Sequence, residues 1–419
     1  MRLNCWEPPT WNHTCHFCQA PLLTTETEEF CCNKGKHVVP PLPPLPPYIA
    51  SLTSHRLLSS LSRRLNNLFC FTAIGVSGGF EHFDSGQPTV AITGRVYHRI
   101  FDVSRPSHSI HWFLYDEHDR ERKGQEWNVH PAWTQGVRAD LTMVNPYVSH
   151  LRQFADAYHE EDSAVLELLD PPPSADFAAI MHANNSTLIR PRSILIWNKT
   201  ELEPSFIPYF SRHYEPLQYP LLFPHGTLGW GLAFDSDTGH YIANMKLSQR
   251  EWYKGHLLTD HRFLSFGCLT CEYLCDMYSR IEEQRLHFIR CGRINHALEL
   301  DPSTDASTVD LQLPSSFTGS HLWSSDQTAD ALAIARVHGQ ADFFITMTCD
   351  GKWPEISSRL MPNQTALEAP VIVVRAFKHR LCRLQDILQT KFGRCVYMIT
   401  IIEFQKRGFP HAHIILKVG

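Results

Sequence analysis

Val396-Tyr397-Met398-Ile399-Thr400-Ile401-Ile402-Glu403-Phe404 and Phe409-Pro410-His411-Ala412-His413-Ile414-Ile415-Leu416 are two β-rich runs joined by Gln405-Lys406-Arg407-Gly408. Long apolar and β-branched runs on either side of a short polar link containing glycine read as a hairpin. Side chains alternate along a strand with a period of two, so His411 and His413 project to one face. A hairpin centred on Arg407 sets Glu403 directly opposite His411. Two imidazoles and one carboxylate then converge, a donor set suited to Mg²⁺ or Mn²⁺, with Mn²⁺ the better match for nitrogen ligands. An ion held there with open positions polarises a phosphodiester oxygen and stabilises the charge that develops on displacement, while the nucleophile must come from elsewhere.

Upstream of the hairpin, Pro370 precedes Val374, Phe377, Leu381, Leu384 and Leu388, whose spacing predicts an amphipathic helix. Asp342 to Thr348 predicts a buried strand ended by the turn pair Asp350-Gly351. The whole chain carries a formal charge of -5, which offers nucleic acid no global attraction. From Val371 to Gly419, however, nine Lys or Arg face only Asp386 and Glu403, a local +7 that places any phosphate-binding surface at this end. The residues read as DNA-binding are Arg375, Lys378 and Arg383 off the helix stripe and Lys406 and Arg407 in the turn. Trp353 reads either as a base-stacking residue or as a core tryptophan.

Further out, apolar and aromatic residues recur at helical intervals from Phe263 to Arg290, and Cys268, Cys271 and Cys275 fall on one face as small packed hydrophobes. Asp301 to Asp310 reads as a loop, Asp170-Pro171-Pro172-Pro173-Ser174 as a break, and Tyr115 to Glu126 as an exposed connection. Leu57 to Phe71 has helical spacing, and Thr89 to Ile100 reads as strand, turn at Gly94, then strand. The polyproline stretch Pro40 to Pro47 reads as a stiff spacer.

Ahead of it, Cys15-x-x-Cys18, Cys31-Cys32 and His37 resemble a small Zn²⁺ site. Adjacent cysteines rarely share an ion, so the set read here is Cys15, Cys18, Cys32 and His37, with His13 or Cys5 as other sources of the fourth ligand. No apolar run approaches the roughly 20 residues of a membrane helix. The start lacks the apolar core of a secretory signal, and thirteen cysteines then argue for intracellular thiols and metal ligands, in the nucleus if the source is eukaryotic.

The run Ile402-Glu403-Phe404-Gln405-Lys406-Arg407-Gly408-Phe409-Pro410-His411-Ala412-His413-Ile414-Ile415-Leu416 closely resembles the HUH signature (His, hydrophobic residue, His) of Helitron rolling-circle transposases. Val96 to Ile100, Tyr219 to Pro224, Leu313 to Ser320 and Phe344 to Ile356 resemble further Helitron blocks in the expected order, and the Cys-rich start is similar to that of many Helitron proteins. The resemblance implies an HUH endonuclease joined to a P-loop helicase. Such a nuclease cuts single-stranded DNA by tyrosine attack on phosphorus, leaving a 5′-phosphotyrosine link and a free 3′-hydroxyl. It implies His411 and His413 as metal ligands and Glu403 as the acidic third. The family's tyrosines lie downstream of the second histidine, whereas Ile414 to Gly419 contain none, and no G-x-x-x-x-G-K-[ST] loop occurs.

The expectation is therefore an α+β, multidomain chain. It comprises a Cys-rich segment (1–39), a polyproline linker (40–47), a β-rich module (48–170), a helical intermediate region (171–330) and an HUH domain (331–419). That last domain is an antiparallel sheet flanked by helices, truncated before the catalytic tyrosines and the helicase. The expected partner is single-stranded DNA, with no membrane and no defined oligomer. The alternative is a non-catalytic single-stranded DNA-binding transposon remnant.

Overall fold

The computed structural model describes residues 8–70, 117–148, 210–231, 246–300, 313–393, 395–405 and 408–419, and short strand segments within 73–99, 168–207 and 233–242. Helices and small antiparallel sheets alternate along these residues, so the chain is α+β as expected. The breaks read at 170–174 and 301–310 lie outside the described residues.

The larger core gathers around the helix Gly267–Leu300, which buries Leu269, Tyr273 and Met277 one turn after another. The single helix expected from Phe263 is broken at Phe266, which ends a short helix Arg262–Ser265. The break has local partners. Ser62 Oγ donates to the Phe266 carbonyl at 2.9 Å and accepts from the Leu269 amide at 3.1 Å. Gly267 is needed at this crossing, because a Cβ there would lie 2.0 Å from Ser59 Oγ on the helix Leu58–Asn67. Cys268 and Cys271 pack as small hydrophobes with their Sγ atoms donating to Glu368 Oε1 and the Leu367 carbonyl. Burial pushes both thiols up to about 12.

Tyr219 to Phe223 is wholly buried against this helix. Asn66 holds the stretch from the other side, donating to the Gln218 carbonyl at 3.0 Å and accepting from the Leu221 amide at 3.3 Å. Beneath it, Glu215 and Arg280 form a fully buried ion pair at 3.2 Å, and Tyr273 Oη donates to the second Glu215 oxygen at 2.8 Å. Asp276 accepts from Tyr214 Oη at 3.0 Å and Tyr219 Oη at 2.9 Å. The polyproline stretch is no free spacer, since Leu42 and Leu45 pack on the core and the Pro43 and Pro44 carbonyls accept from Arg262 and His225.

Several local expectations change. Tyr115 to Glu126 contains the helix Glu117–Glu126 rather than an open connection, and Arg120 on it is buried over Phe69 with Nε donating to the Leu68 carbonyl. Its Glu, Arg, Lys and Gln residues are good helix formers but leave no apolar stripe to read. Val90–Ile92 and Val96–Arg99 are strands, yet each pairs with an earlier segment, Phe80–His82 and Ala73–Val76 respectively, instead of with the other. Residues 48–70 and 117–148 are chiefly helical, and the region after 171 includes strands Asp176–Ala178, Ile194–Asn198 and Pro204–Ile207 of one antiparallel sheet.

His256, on the helix Gln249–Thr259, is 1% exposed, and its Nε2 has no hydrogen-bond partner among the described residues. Burial pushes its pKa down to about 4, against the attraction of Asp260 and helped by Arg262. The unfolded chain, where histidine titrates near 6.5, takes up the proton first. Stability therefore falls as pH drops from about 6.5 towards 4, by about 3 kcal/mol across the window. Urea unfolding at stepped pH should show this slope, and His256→Leu should flatten it. An unchanged slope in the variant would place the acid sensitivity elsewhere.

The second core lies under a three-stranded antiparallel sheet in the order Phe343–Thr348, Pro410–Val418, Cys395–Phe404. Ala412, Ile414 and Leu416 of the central strand are fully buried in one cluster with Val373, Ala376, Phe377, Leu381 and Leu388 of the helix Pro370–Phe392. The buried stripe of that helix begins at Ile372 and Val373, leaving Val374 exposed. Phe343–Thr348, expected to be buried, is an edge strand whose Phe343 and Phe344 are exposed. A strand with one neighbour and one covered face keeps its apolar residues partly in water.

Candidate metal centre and nucleic-acid interface

The hairpin register sets Glu403 opposite His411, as the sequence predicts, and Thr348 of the edge strand faces His411 from the other side. Because Ala412 and Ile414 point into the helix-covered core, His411 and His413 lie on the opposite face of the sheet. One ligand atom from each of His411, His413 and Glu403 falls within 4.8 Å of the other two. His413 Nε2 and Glu403 Oε1 are 3.2 Å apart. Neighbouring donors of an octahedral ion with bonds of 2.1–2.2 Å are separated by about 3 Å. The spacing therefore fits a shared divalent cation.

Each imidazole is held in place by what surrounds it. His411 is buried, with Nδ1 2.8 Å from Thr348 Oγ1 and 3.3 Å from Gln405 Nε2. When Nδ1–H donates to the Thr348 hydroxyl, which excludes a bond from Gln405 Nε2 to the same nitrogen, Nε2 presents its lone pair for a metal, the arrangement in which an outer partner sets a ligand's tautomer. His413 Nδ1 is buried with no partner among the described residues, and the ring is oriented by stacking on Phe344, centroids 5.4 Å apart at 21°. The two rings stand edge to face at 4.6 Å. Thr348, Gln405 and Phe344 were not legible as site residues. Only the pairing of the edge strand Phe343–Thr348 with the central one brings Thr348 and Phe344 to the histidines.

At the N-terminus the structure gathers Cys15, Cys18, Cys31 and Cys32, their sulfurs within 4.8 Å of one another. Cys15 and Cys32 are 3.6 Å apart and Cys31 and Cys32 3.8 Å. Tetrahedral coordination with Zn–S bonds of 2.3 Å separates sulfurs by about 3.8 Å. Adjacent cysteines both reach this cluster, Cys31 and Cys32 being the last two residues of the helix Glu28–Cys32. His37 is not a member, its Nδ1 lying 2.7 Å from Glu251 Oε1. The Gly35 amide donates to Cys32 Sγ at 3.3 Å. Burial pushes the Cys18 thiol up to about 11 and Cys31 higher still. On Cys15 burial is outweighed by bonds from the Cys18 and Phe17 backbone and the Cys31 and Cys32 thiols, which bring it down to about 7. A cation among these sulfurs would hold all four as thiolates.

The residues read as DNA-binding do not form one surface. Arg375 is buried, with Nε 2.9 Å from Glu26 Oε1 and the guanidinium over Trp11 at 4.6 Å, so it clamps the N-terminal segment onto the helix rather than meeting phosphate. Lys378 and Arg383 are exposed, but on the helix that covers the sheet face opposite the histidines. Trp353 is half-buried with the Arg380 guanidinium stacked on it at 4.1 Å, and Lys406 and Arg407 lie outside the described residues. Tyr397 is on the hairpin, but its hydroxyl donates to the Gly339 carbonyl at the far end of the strand. No helix of the described residues is long and apolar enough to cross a membrane.

No curated protein and no solved structure matches the chain. A family model does, the Helitron helicase-like domain at N-terminus, over residues 252–416. That span runs from the helix carrying His256 through the long core helix to the central strand that carries His411 and His413. Over these residues the chain is similar to the Helitron helicase-like domain.

Proposed function

We propose that this domain binds a divalent cation, Mg²⁺ or Mn²⁺, at His411, His413 and Glu403, and through it the phosphodiester backbone of single-stranded DNA, at a site of the HUH nicking type. The observation that carries this reading is the convergence of two imidazoles and a carboxylate on the sheet face the helix leaves uncovered. In that position an ion would bind a phosphate oxygen and offset the charge of a displacement at phosphorus. Thr348 would keep His411 Nε2 directed at the ion and Phe344 would hold the ring of His413.

Among the described residues, the groups set against the two histidines are Thr348, Gln405, Phe344 and Glu403, none of them a tyrosine. This favours a second reading, metal-dependent DNA binding without a covalent step. We also assign Zn²⁺ to the four thiols as a structural ion.

Labelled single-stranded DNA should bind about tenfold more tightly with Mn²⁺ than with chelator, a gain of about 1.4 kcal/mol, and His411→Ala/His413→Ala should abolish the gain. Cleavage that requires the histidines would support nicking, and cleavage without a covalent adduct would point to water as the nucleophile. Metal-independent binding, equal in wild type and variant, would sink both readings.

A further inference from the structure

A cavity of about 170 Å³ lies between Leu257–Leu264, the start of the helix Pro370–Phe392 and Arg359. Its walls are largely apolar, including Leu257, Phe263, Leu264 and Ile372, so the few polar groups that reach it decide what it can hold. Two of them lack partners. Thr270, 1% exposed on the long helix, has its Oγ1 buried and unsatisfied. Arg359 has Nε buried and unsatisfied, while its guanidinium lies over Trp11 at 5.3 Å.

The other charged groups at the cavity are already engaged. Arg375 is clamped by Glu26, and Asp260 accepts from the Arg262 amide at 2.9 Å and Arg262 Nε at 3.0 Å. His261 Nδ1 lies 3.0 Å from Ser265 Oγ. Arg359 is thus the lining cation with no carboxylate beside it among the described residues, and burial together with the neighbouring Arg375 lowers its pKa. The helix Pro370–Phe392 opens onto the same space. It has no side-chain cap and no acidic residue in its first turn, so no side chain offsets its positive end.

An unpaired guanidinium, an unsatisfied buried hydroxyl and an uncapped helix start share one chemical demand, a small oxyanion. We propose that this cavity is an anion-binding site for a phosphate or carboxylate group, separate from the metal-facing sheet surface and independent of what that surface does. The anion would accept from Arg359 and from Thr270 Oγ1, beside the start of the helix. The apolar walls leave room for a short hydrocarbon substituent. Its occupancy would tie the Leu257–Leu264 segment to the sheet domain.

The test is thermal unfolding of the full chain against rising inorganic phosphate and, separately, butyrate, with sodium chloride matched for ionic strength. A saturable rise of a few degrees is expected with at least one anion. Response to phosphate alone identifies a phosphate site, response to butyrate alone a carboxylate site, and response to both the shared oxyanion chemistry. Arg359→Met should weaken the response at least tenfold in concentration. Thr270→Val, nearly the same shape, should weaken it severalfold and remains informative if the arginine variant fails to fold. No response beyond the chloride control, or the same response in wild type and both variants, overturns the proposal.

Discussion

Stripping zinc from the purified chain should release one equivalent of metal and lower its melting temperature sharply. Where a finger depends on its metal alone, binding contributes roughly 10–16 kcal/mol of folding free energy. Here the N-terminal segment is also held by Trp11 Nε1 donating to the Glu355 carbonyl at 2.7 Å and by the Arg375–Glu26 pair, so a loss on the order of several kcal/mol is expected. Cys32→Ser should reproduce it, because Cys32 lies close to both Cys15 and Cys31. His37→Ala should keep its zinc, since His37 faces Glu251 instead of the thiols. The consequence should reach beyond the segment. Leu258 and Val371 pack against the cysteine cluster, so an emptied cluster loosens the contact between two helices of the Helitron-related domain. A chain that purifies without zinc and melts identically in chelator would refute the assignment.

Glu215→Ala should cost about 3–5 kcal/mol, the penalty for leaving a buried charge without its counter-ion. Both partners are fully buried, and removing the carboxylate deprives Arg280, Tyr273 Oη and the Trp230 amide together. Among its described partners Arg280 would keep the Ser211 and Trp230 carbonyls, Met277 Sδ and the face of Tyr214 at 4.4 Å. Replacing both members with apolar residues, as in Glu215→Leu/Arg280→Met, should recover part of that loss, because the desolvation penalty of both ions is removed with their attraction. Denaturant melts of the three proteins separate these terms. A single variant within about 1 kcal/mol of wild type would show that water reaches the pair in solution.

The convergence of His411, His413 and Glu403 was legible in the sequence because it depends on local rules. Strand alternation puts His411 and His413 on one side, and a short turn fixes Glu403 opposite His411, so the donor set follows from numbering alone. The amphipathic helix and the Cys15-x-x-Cys18 knuckle were legible for the same reason, since their spacing lies within a few residues. Choices that depend on distant chain were not. Cys31 was set aside in favour of His37 because neighbouring cysteines usually diverge, yet both sulfurs at the end of the short helix meet Cys15 and Cys18. Arg375 reads as a DNA contact until Glu26, far away in sequence, neutralises it. Lys378 and Arg383 count towards the local positive charge, yet the covering helix carries them away from the histidines. The sequence by itself determined that His411, His413 and Glu403 come together on one sheet face. Tertiary packing decided which charges remain free to meet DNA, because a side chain's partners are set by the chain folded over it and not by its neighbours along the strand.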